Sequence, residues 1–453
     1  MSIIRAVSRR NPAPDFGGCA RVDCRGGPLE QGASMKPHRR VFVVGGALTP
    51  FIGKKHPDFI WKGHPDFGQR ENPTLDEHLA SAIEGALQST GVDAAKVDKG
   101  YVGNFAGELF VQQGHMGALV PRVVPALEGT PFTRVEGACA SGALAVVGCI
   151  EAIQAGANVT LAAGAEVQTS VSAREGAGYL ARASHFATER DLDEFTFPAM
   201  FARRAKLFKE ATGTTDEDIA HVVAKAYGNA NRNPNAHMRA VTMSVEDAAT
   251  AGDRNPCFLR NEDYRDHLKM SDCSQVSDGG AAMLLASEDG LAALGLRPED
   301  CVEIVSWAQR TGGLGRVTDY TRLDVTAAAA AEAYRDAGIA AGDVQVAEVH
   351  DCFAVTEILM AEALGFTAFG QGRTLAREGR SHIDGDIPIN TGGGLLAFGH
   401  PVGATGVKQL LEIVRQMKGE CGDYQMPTRP KVGLAANMGG DDRTSVVTVL
   451  RAG

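Results

Sequence analysis

Val135-Glu136-Gly137-Ala138-Cys139-Ala140-Ser141-Gly142-Ala143 is the stretch on which the reading of this chain turns. A cysteine stands among small residues at the opening of an Ala- and Gly-rich helical run that extends to about residue 155, and an apolar strand follows over residues 158–163. A sulfur at a helix start feels the amide groups there, which favour a thiolate and can also stabilise an oxyanion. Small neighbours let backbone and substrate approach closely. The ordinary alternative for such a residue is a buried core cysteine.

Working outward, the same alternation continues. Val41-Phe42-Val43-Val44 before Gly45-Gly46 reads as a buried first strand. Thr74 can cap a helix from Leu75, with Glu77 completing a capping box and Gly91 near its end. Tyr101-Val102-Gly103 reads as a strand end. Residues 281–286 and 301–307 are further strands, and a second block alternates helix 326–337, strand 345–349, helix 356–364, helix 407–417, strand 431–436 and strand 444–450. Alternation of this kind predicts an α/β fold with a mixed sheet covered by helices. In both blocks a strand leads to a glycine-flanked reactive segment and then a helix, which hints at duplicated halves. Residues 169–269 break the rhythm with charged helices (201–212 and 216–229) and read as an inserted lobe.

The chain has 453 residues, long enough for two or three lobes. Its formal net charge of −10 argues against a broad nucleic-acid face, although a local cationic patch for an anionic ligand remains open. Nine cysteines without a CxxC pair read as reduced thiols, and no apolar window reaches membrane-spanning length. The first 38 residues, Arg-, Gly- and Pro-rich and without apolar periodicity, read as an extension outside the fold, with Met35 a candidate start.

Two further segments carry chemistry. Asn390-Thr391-Gly392-Gly393-Gly394 runs to Phe398-Gly399-His400-Pro401-Val402-Gly403-Ala404-Thr405-Gly406; Pro401 and the glycines can hold the His400 imidazole rigidly at a helix start. A phosphate loop is the rival, without the Walker lysine-hydroxyl pair. Glu348-Val349-His350-Asp351-Cys352-Phe353-Ala354 places a His and a Cys at the carboxyl end of a strand, where ligands of α/β folds gather. A structural or metal-binding His-x-Cys pair is the competing reading, and no complete zinc spacing surrounds it. The repeated His-Pro-Asp-Phe at His56 and His64 invites a metal site, while an exposed insertion is the plainer reading.

Cys139-Ala140-Ser141, His350-Asp351-Cys352-Phe353 and Gly399-His400-Pro401, in this order, resemble the thiolase superfamily, and the second motif resembles its sterol-carrier-protein-type members. Thr49-Pro50-Phe51, Gly164-Ala165-Glu166 and Ser277-Asp278-Gly279-Gly280-Ala281 extend the resemblance to nearly everything after Arg40. The family pattern departs at Asn437-Met438-Gly439-Gly440, where most thiolases carry a catalytic Cys-x-Gly; the resemblance gives that role to Cys352.

What the resemblance implies is a thiolase-like fold of two similar halves, each a mixed five-stranded sheet in an α-β-α-β-α layering. The N-terminal half would span residues 39–168, completed by 270–290, the loop domain 169–269 and the C-terminal half 291–453. It further implies a thiolase making or cleaving 3-ketoacyl-CoA through an acyl-Cys139, with His350, Cys352 and His400 catalytic and N–H groups of Cys139 and Gly439 facing the oxyanion. Coenzyme A or an acyl-CoA would be the substrate, with no covalently bound cofactor and no metal. Arg203, Arg204, Lys206, Lys209, His237, Ser277 and Asn437 are its expected contacts. A homodimer or dimer of dimers in the cytoplasm completes the expectation, with no nucleic-acid partner and no membrane span. The rivals are a β-ketoacyl synthase and a thiolase-like acyltransferase or acyl-CoA-binding protein, the latter kept open by Leu48 where the family usually has Arg.

Overall fold

The computed structural model describes residues 38–453, so the expected extension lies outside the described residues except for its last position. Among the described residues there are nine strands: β1 (Val41–Leu48), β2 (Lys99–Gly103), β3 (Phe132–Val135), β4 (Val159–Glu166), β5 (Gly279–Ala286), β6 (Val302–Thr311), β7 (Val346–Val349), β8 (Val432–Gly439) and β9 (Thr444–Ala452). The helices that position the site are α1 (Leu75–Thr90), α2 (Met116–Val123), α3 (Ser141–Gln154), α4 (Thr196–Thr212), α5 (Asp216–Ala230), α6 (Asp324–Ala337), α7 (Ala354–Ala363), α8 (Gly394–Phe398) and α9 (Thr405–Lys418).

The strands pair in the order β3-β2-β4-β5-β1-β6-β9-β8-β7. A parallel bridge between Ala347 and Ile389 stands where the second half's remaining edge strand would be. Counted within its own half, each half therefore runs third, second, fourth, fifth, first from edge to seam, with the outer pairs parallel and the inner pairs antiparallel. The expectation of two five-stranded sheets differs in one respect. Val41–Val43 of β1 pair with Val302–Ile304 of β6, which joins the halves into one continuous sheet.

Side-chain alternation explains the layers. In β1 and β5 one set, Phe42, Val44, Ala282, Leu284 and Ala286, packs with Leu75, Leu79, Ala82, Ile83 and Ala86 of α1 on the outside. The other set, Val41, Val43, Ala281, Met283 and Leu285, faces the inner core that also holds α3 and α9. The capping box forms as expected: Thr74 Oγ1 accepts from Glu77 N, Glu77 Oε2 accepts from Thr74 N at 2.7 Å, and Gly91 in the left-handed region ends α1. Each fully buried Leu or Ile on this face contributes about 1.5–3 kcal/mol.

The close approach of α3 and α9 positions the chemistry. A Cβ at Gly142 would stand 2.7 Å from Gly403 O, and one at Gly406 would stand 2.1 Å from Ala143 N. The first turns of the two helices therefore touch backbone to backbone, and no side chain fits between them. The segments immediately before them carry Cys139 and His400.

Candidate active site

Cys139 lies just before α3, in a turn that Ala138 enters at a φ of 53°, a left-handed conformation that strains a residue with a Cβ. Ser141 holds the turn: its Oγ accepts from Gly137 N at 3.1 Å and donates to Ala138 O at 2.6 Å. The residue keeps a partly accessible edge. Surrounding protein nevertheless desolvates the sulfur and pushes the thiol up to about 12, against the opposing pull of the Gly440 N–H and its own N–H. The second backbone donor at the sulfur is thus Gly440, one residue beyond the expected Gly439. Gly439 packs against Gly137 O instead, which a Cβ there would meet at 2.0 Å.

The His400 ring donates from Nδ1 to Thr405 Oγ1 at 2.7 Å, because the Thr405 hydroxyl spends its own proton on Pro401 O at 3.0 Å. Its Nε2 is buried with no hydrogen-bond partner among the described residues. Burial drives this imidazole down to about 3, so it is neutral at rest. Backbone contacts fix the loop: Ser277 Oγ accepts from His400 N at 3.2 Å and Gln168 Nε2 donates to His400 O at 2.8 Å. Glu166 ties the halves together, accepting from Phe105 N, Ala106 N and Gly403 N at 2.9–3.1 Å, and burial lifts its carboxyl to about 7.

His350 and Cys352 enter from the end of β7. The His350 and His400 rings meet edge to face, with centroids 5.2 Å apart. One sulfur atom of Cys139 and one ring nitrogen from each histidine lie within 4.8 Å of one another, the one such trio of possible metal-ligating atoms among the described residues. Cys352 is buried near enough that the Cys139 sulfur raises its thiol further, beyond the large rise that burial alone gives. Its loop is held by Ser274 N donating to Cys352 O at 2.9 Å and by Phe353 stacked on Phe201 of α4 at 4.5 Å. Between the two, Asp351 accepts from Leu395 N at 2.6 Å and so fastens this loop to α8, which leads to His400. Gly394 makes room for it: a Cβ there, at a φ of 61°, would lie 2.1 Å from the Asp351 carboxylate.

The expected coenzyme A contacts divide. Arg204 is fully buried, paired with Asp441 and donating to Tyr320 O and Arg322 O at 2.9 Å. It is a structural tie and cannot meet an external phosphate, which corrects the sequence reading. Arg203 lies over the Tyr320 ring at 3.9 Å, Lys206 Nζ donates to Asp263 O at 3.3 Å, and Lys209 pairs with Asp216 at 2.5 Å. These three keep a solvent edge. His237 and Ser277 are both buried, joined to each other at 2.8 Å, and they brace the His400 loop. Asn437 is buried too, donating to His350 Nδ1 at 3.1 Å and to Gln409 Oε1 at 2.9 Å. Thr405, Gln409 and Gly440 were not singled out by the sequence. Thr405 and Gly440 stand close in sequence to His400 and Asn437, whereas nothing in the sequence pointed to Gln409.

The repeated His-Pro-Asp-Phe makes the same local turn twice. His56 Nδ1 accepts from Asp58 N at 3.1 Å, and His64 Nδ1 accepts from Asp66 N at 3.1 Å. The second copy is exposed with Trp61 and Phe67, whereas His56 is buried against the His237 ring at 6.3 Å.

Known proteins resemble this chain over most of its length. Residues 64–289 match the thiolase N-terminal domain and residues 308–452 the thiolase C-terminal domain-like family. An acetyl-CoA acetyltransferase of Methanothermobacter thermautotrophicus is 36% identical over 368 residues, covering 81% of this chain and 91% of that protein. Human sterol carrier protein 2 is 30% identical over 417 residues, 88% of this chain and 70% of that protein. A solved structure of human mitochondrial 3-ketoacyl-CoA thiolase in complex with CoA shares the fold, with a TM-score of 0.65 at 17% identity over 93% of this chain and the whole of that one.

Proposed function

This chain belongs to the thiolase family, and from that membership and the geometry around Cys139 we propose that it catalyses the reversible Claisen condensation of acyl-CoA thioesters, with CoA-dependent cleavage of 3-ketoacyl-CoA as the reverse. The observation that carries this reading is the sulfur with two imidazole nitrogens inside 4.8 Å. His400 Nε2, buried and unpartnered, is the acceptor for the Cys139 proton. A thiol raised to about 12 beside an imidazole lowered to about 3 is a neutral pair at rest, so proton transfer accompanies attack on the thioester. The tetrahedral oxyanion faces the N–H groups of Cys139 and Gly440, donors typically worth about 3 kcal/mol each.

The protons balance as follows. Cys139 gives its proton to His400, and Cys352 gives its proton to the departing CoA thiolate. The Cys352 thiolate then removes the α-proton of the second acyl-CoA. The higher a thiol is raised, the stronger the base its thiolate becomes, and a thioester α-carbon needs a strong one. The imidazolium of His400 and the ring of His350 stabilise the enolate oxygen. The carbanion attacks acyl-Cys139, and His400 returns its proton to the released sulfur.

Several finer proposals go with this one. The N-terminal half comprises 39–168 with 270–290, the loop domain 169–269 and the C-terminal half 291–453. The nucleotide end of CoA meets the cationic side of α4 at Arg203, Lys206 and Lys209. The working form is a homodimer or dimer of dimers in the cytoplasm; no helix among the described residues is long and apolar enough to cross a membrane.

The test combines the mass shift of acyl-Cys139 with exchange of acyl-CoA α-hydrogens for deuterium. Wild type should do both, Cys139→Ala should lose the adduct, and Cys352→Ala should still form the adduct, more slowly because CoA departs as the thiolate, while exchange falls by roughly 10²–10⁴-fold. Undiminished exchange in Cys352→Ala assigns the base elsewhere, and a wild type that binds acyl-CoA without forming the adduct overturns the thiolase reading in favour of a binding protein.

A further inference from the structure

We infer that Asn437, itself held by Gln409, is a positioning residue that fixes the proton of His350 on Nε2 and so sets the two imidazoles of the site in opposite tautomers. Gln409, fully buried on α9, has its Nε2 facing Ala436 O at 3.4 Å. A carbonyl can only accept, so the Gln409 amide presents its nitrogen there and its oxygen to Asn437. Asn437 meets that oxygen with Nδ2 at 2.9 Å and directs the same NH₂ at His350 Nδ1, 3.1 Å away. His350 Nδ1 is therefore the acceptor, and its proton stands on Nε2.

A second observation fixes the same orientation. Asn437 Oδ1 is buried without a hydrogen-bond partner and lies 2.8 Å from where a Cβ at Gly406 would stand, in the first turn of α9. The first turns of α3 and α9 meet at this point, and their partial positive ends suit an oxygen and repel an amino group. His400 is set the other way, with its proton on Nδ1 toward Thr405 and a lone pair on Nε2. One ring is a fixed donor and the other a fixed acceptor.

This has two consequences. On the thiolase reading, on which this part rests, His350 donates to the thioester oxygen of the enolising acyl-CoA while His400 handles the Cys139 proton. Independently of that reading, His350 offers no Nε2 lone pair to a cation, so the sulfur-and-two-imidazole trio is a proton-handling set and a poor metal site.

The experiment is a long-range proton–nitrogen correlation spectrum of the full chain labelled with ¹⁵N-histidine at mildly alkaline pH, with His350→Asn and His400→Asn assigning the signals. The expected wild-type result is His350 protonated on Nε2 and His400 on Nδ1. In Asn437→Asp the carboxylate can only accept, so the proton moves to His350 Nδ1. Exchange of acyl-CoA α-hydrogens then falls by about 10²–10³-fold, the loss typical of one preorganised donor, while acyl-Cys139 formation falls far less. Gln409→Glu, which keeps the oxygen that Asn437 needs, retains the wild-type His350 tautomer. A wild-type His350 protonated on Nδ1, or an Asn437→Asp spectrum unchanged from wild type, overturns the inference. The wild-type and Gln409→Glu spectra decide it even where Asn437→Asp does not fold. A wild type that never acylates Cys139 defeats the thiolase reading alone and leaves the tautomer assignment standing.

Discussion

Iodoacetamide should alkylate Cys139 slowly at neutral pH, and the rate should climb about tenfold per pH unit with no plateau below pH 10. The magnitude follows from the site. Burial lifts the thiol from its ordinary 9.0 to about 12, with the Glu166 and Glu136 carboxylates adding to the rise and two backbone N–H groups opposing it. Only the thiolate reacts, so its population at neutral pH is about 10³-fold below that of an unperturbed cysteine, equivalent to about 4 kcal/mol. Because the shift is upward, reactivity is gained as pH rises toward 12 and is absent at acid pH. His400 cannot rescue it at rest, since burial has pushed that ring down to about 3. The assay is peptide mapping of the Cys139 peptide after timed alkylation across a pH series, against glutathione as a free-thiol reference. A plateau beginning near pH 6–7, or a neutral-pH rate matching free glutathione, would show a pre-formed thiolate–imidazolium pair and refute the coupled proton transfer.

Three other perturbations follow from the packing. Arg204→Met leaves Asp441 buried without its partner and should lower stability by about 3–5 kcal/mol, read by denaturant melts, with no specific loss of CoA affinity in the folded fraction. Gly406→Ala puts a methyl group 2.1 Å from Ala143 N; overpacking should cost about 1–3 kcal/mol, and the displaced His400 loop should reduce turnover by about 10²-fold. Thr405→Val removes the acceptor for His400 Nδ1–H, which should slow acyl-Cys139 formation about tenfold or more, checked by rapid-quench mass spectrometry, and lower stability by about 1–3 kcal/mol through the buried N–H left unpaired.

The alternation of apolar strands and amphipathic helices made the α/β class legible, because buried strands such as 281–286 are unbroken apolar runs. The edges were not legible. Phe132-Thr133-Arg134-Val135 is a half-exposed edge strand with a polar face, and Ile389 pairs through a single bridge, so neither carries a periodic signal. Reactive side chains were visible because a thiol or imidazole among glycines has few structural reasons to be there. Their supports were not. Thr405, Gln409 and Asn437 are ordinary polar residues whose roles exist only once α9 lies beside β8. Arg203 and Arg204 illustrate the same limit: neighbours on a helix point about 100° apart, so a run of cations read as one face sends one guanidinium into the core.

The bonding of β1 to β6 bears on how the two reactive atoms stay in register. The sulfur and the His400 ring hang from opposite banks of the fold, with no covalent path shorter than the whole intervening chain. Three paired residues of the β1–β6 ladder, one bare helix crossing, and the hydrogen bonds of Glu166, Gln168 and Ser277 to the His400 loop are the bridge across that gap. A substitution that lets the banks slide by a fraction of an ångström therefore detunes the chemistry with every reactive side chain still in place. Inactivating changes should accordingly gather along the bridge as well as in the pocket.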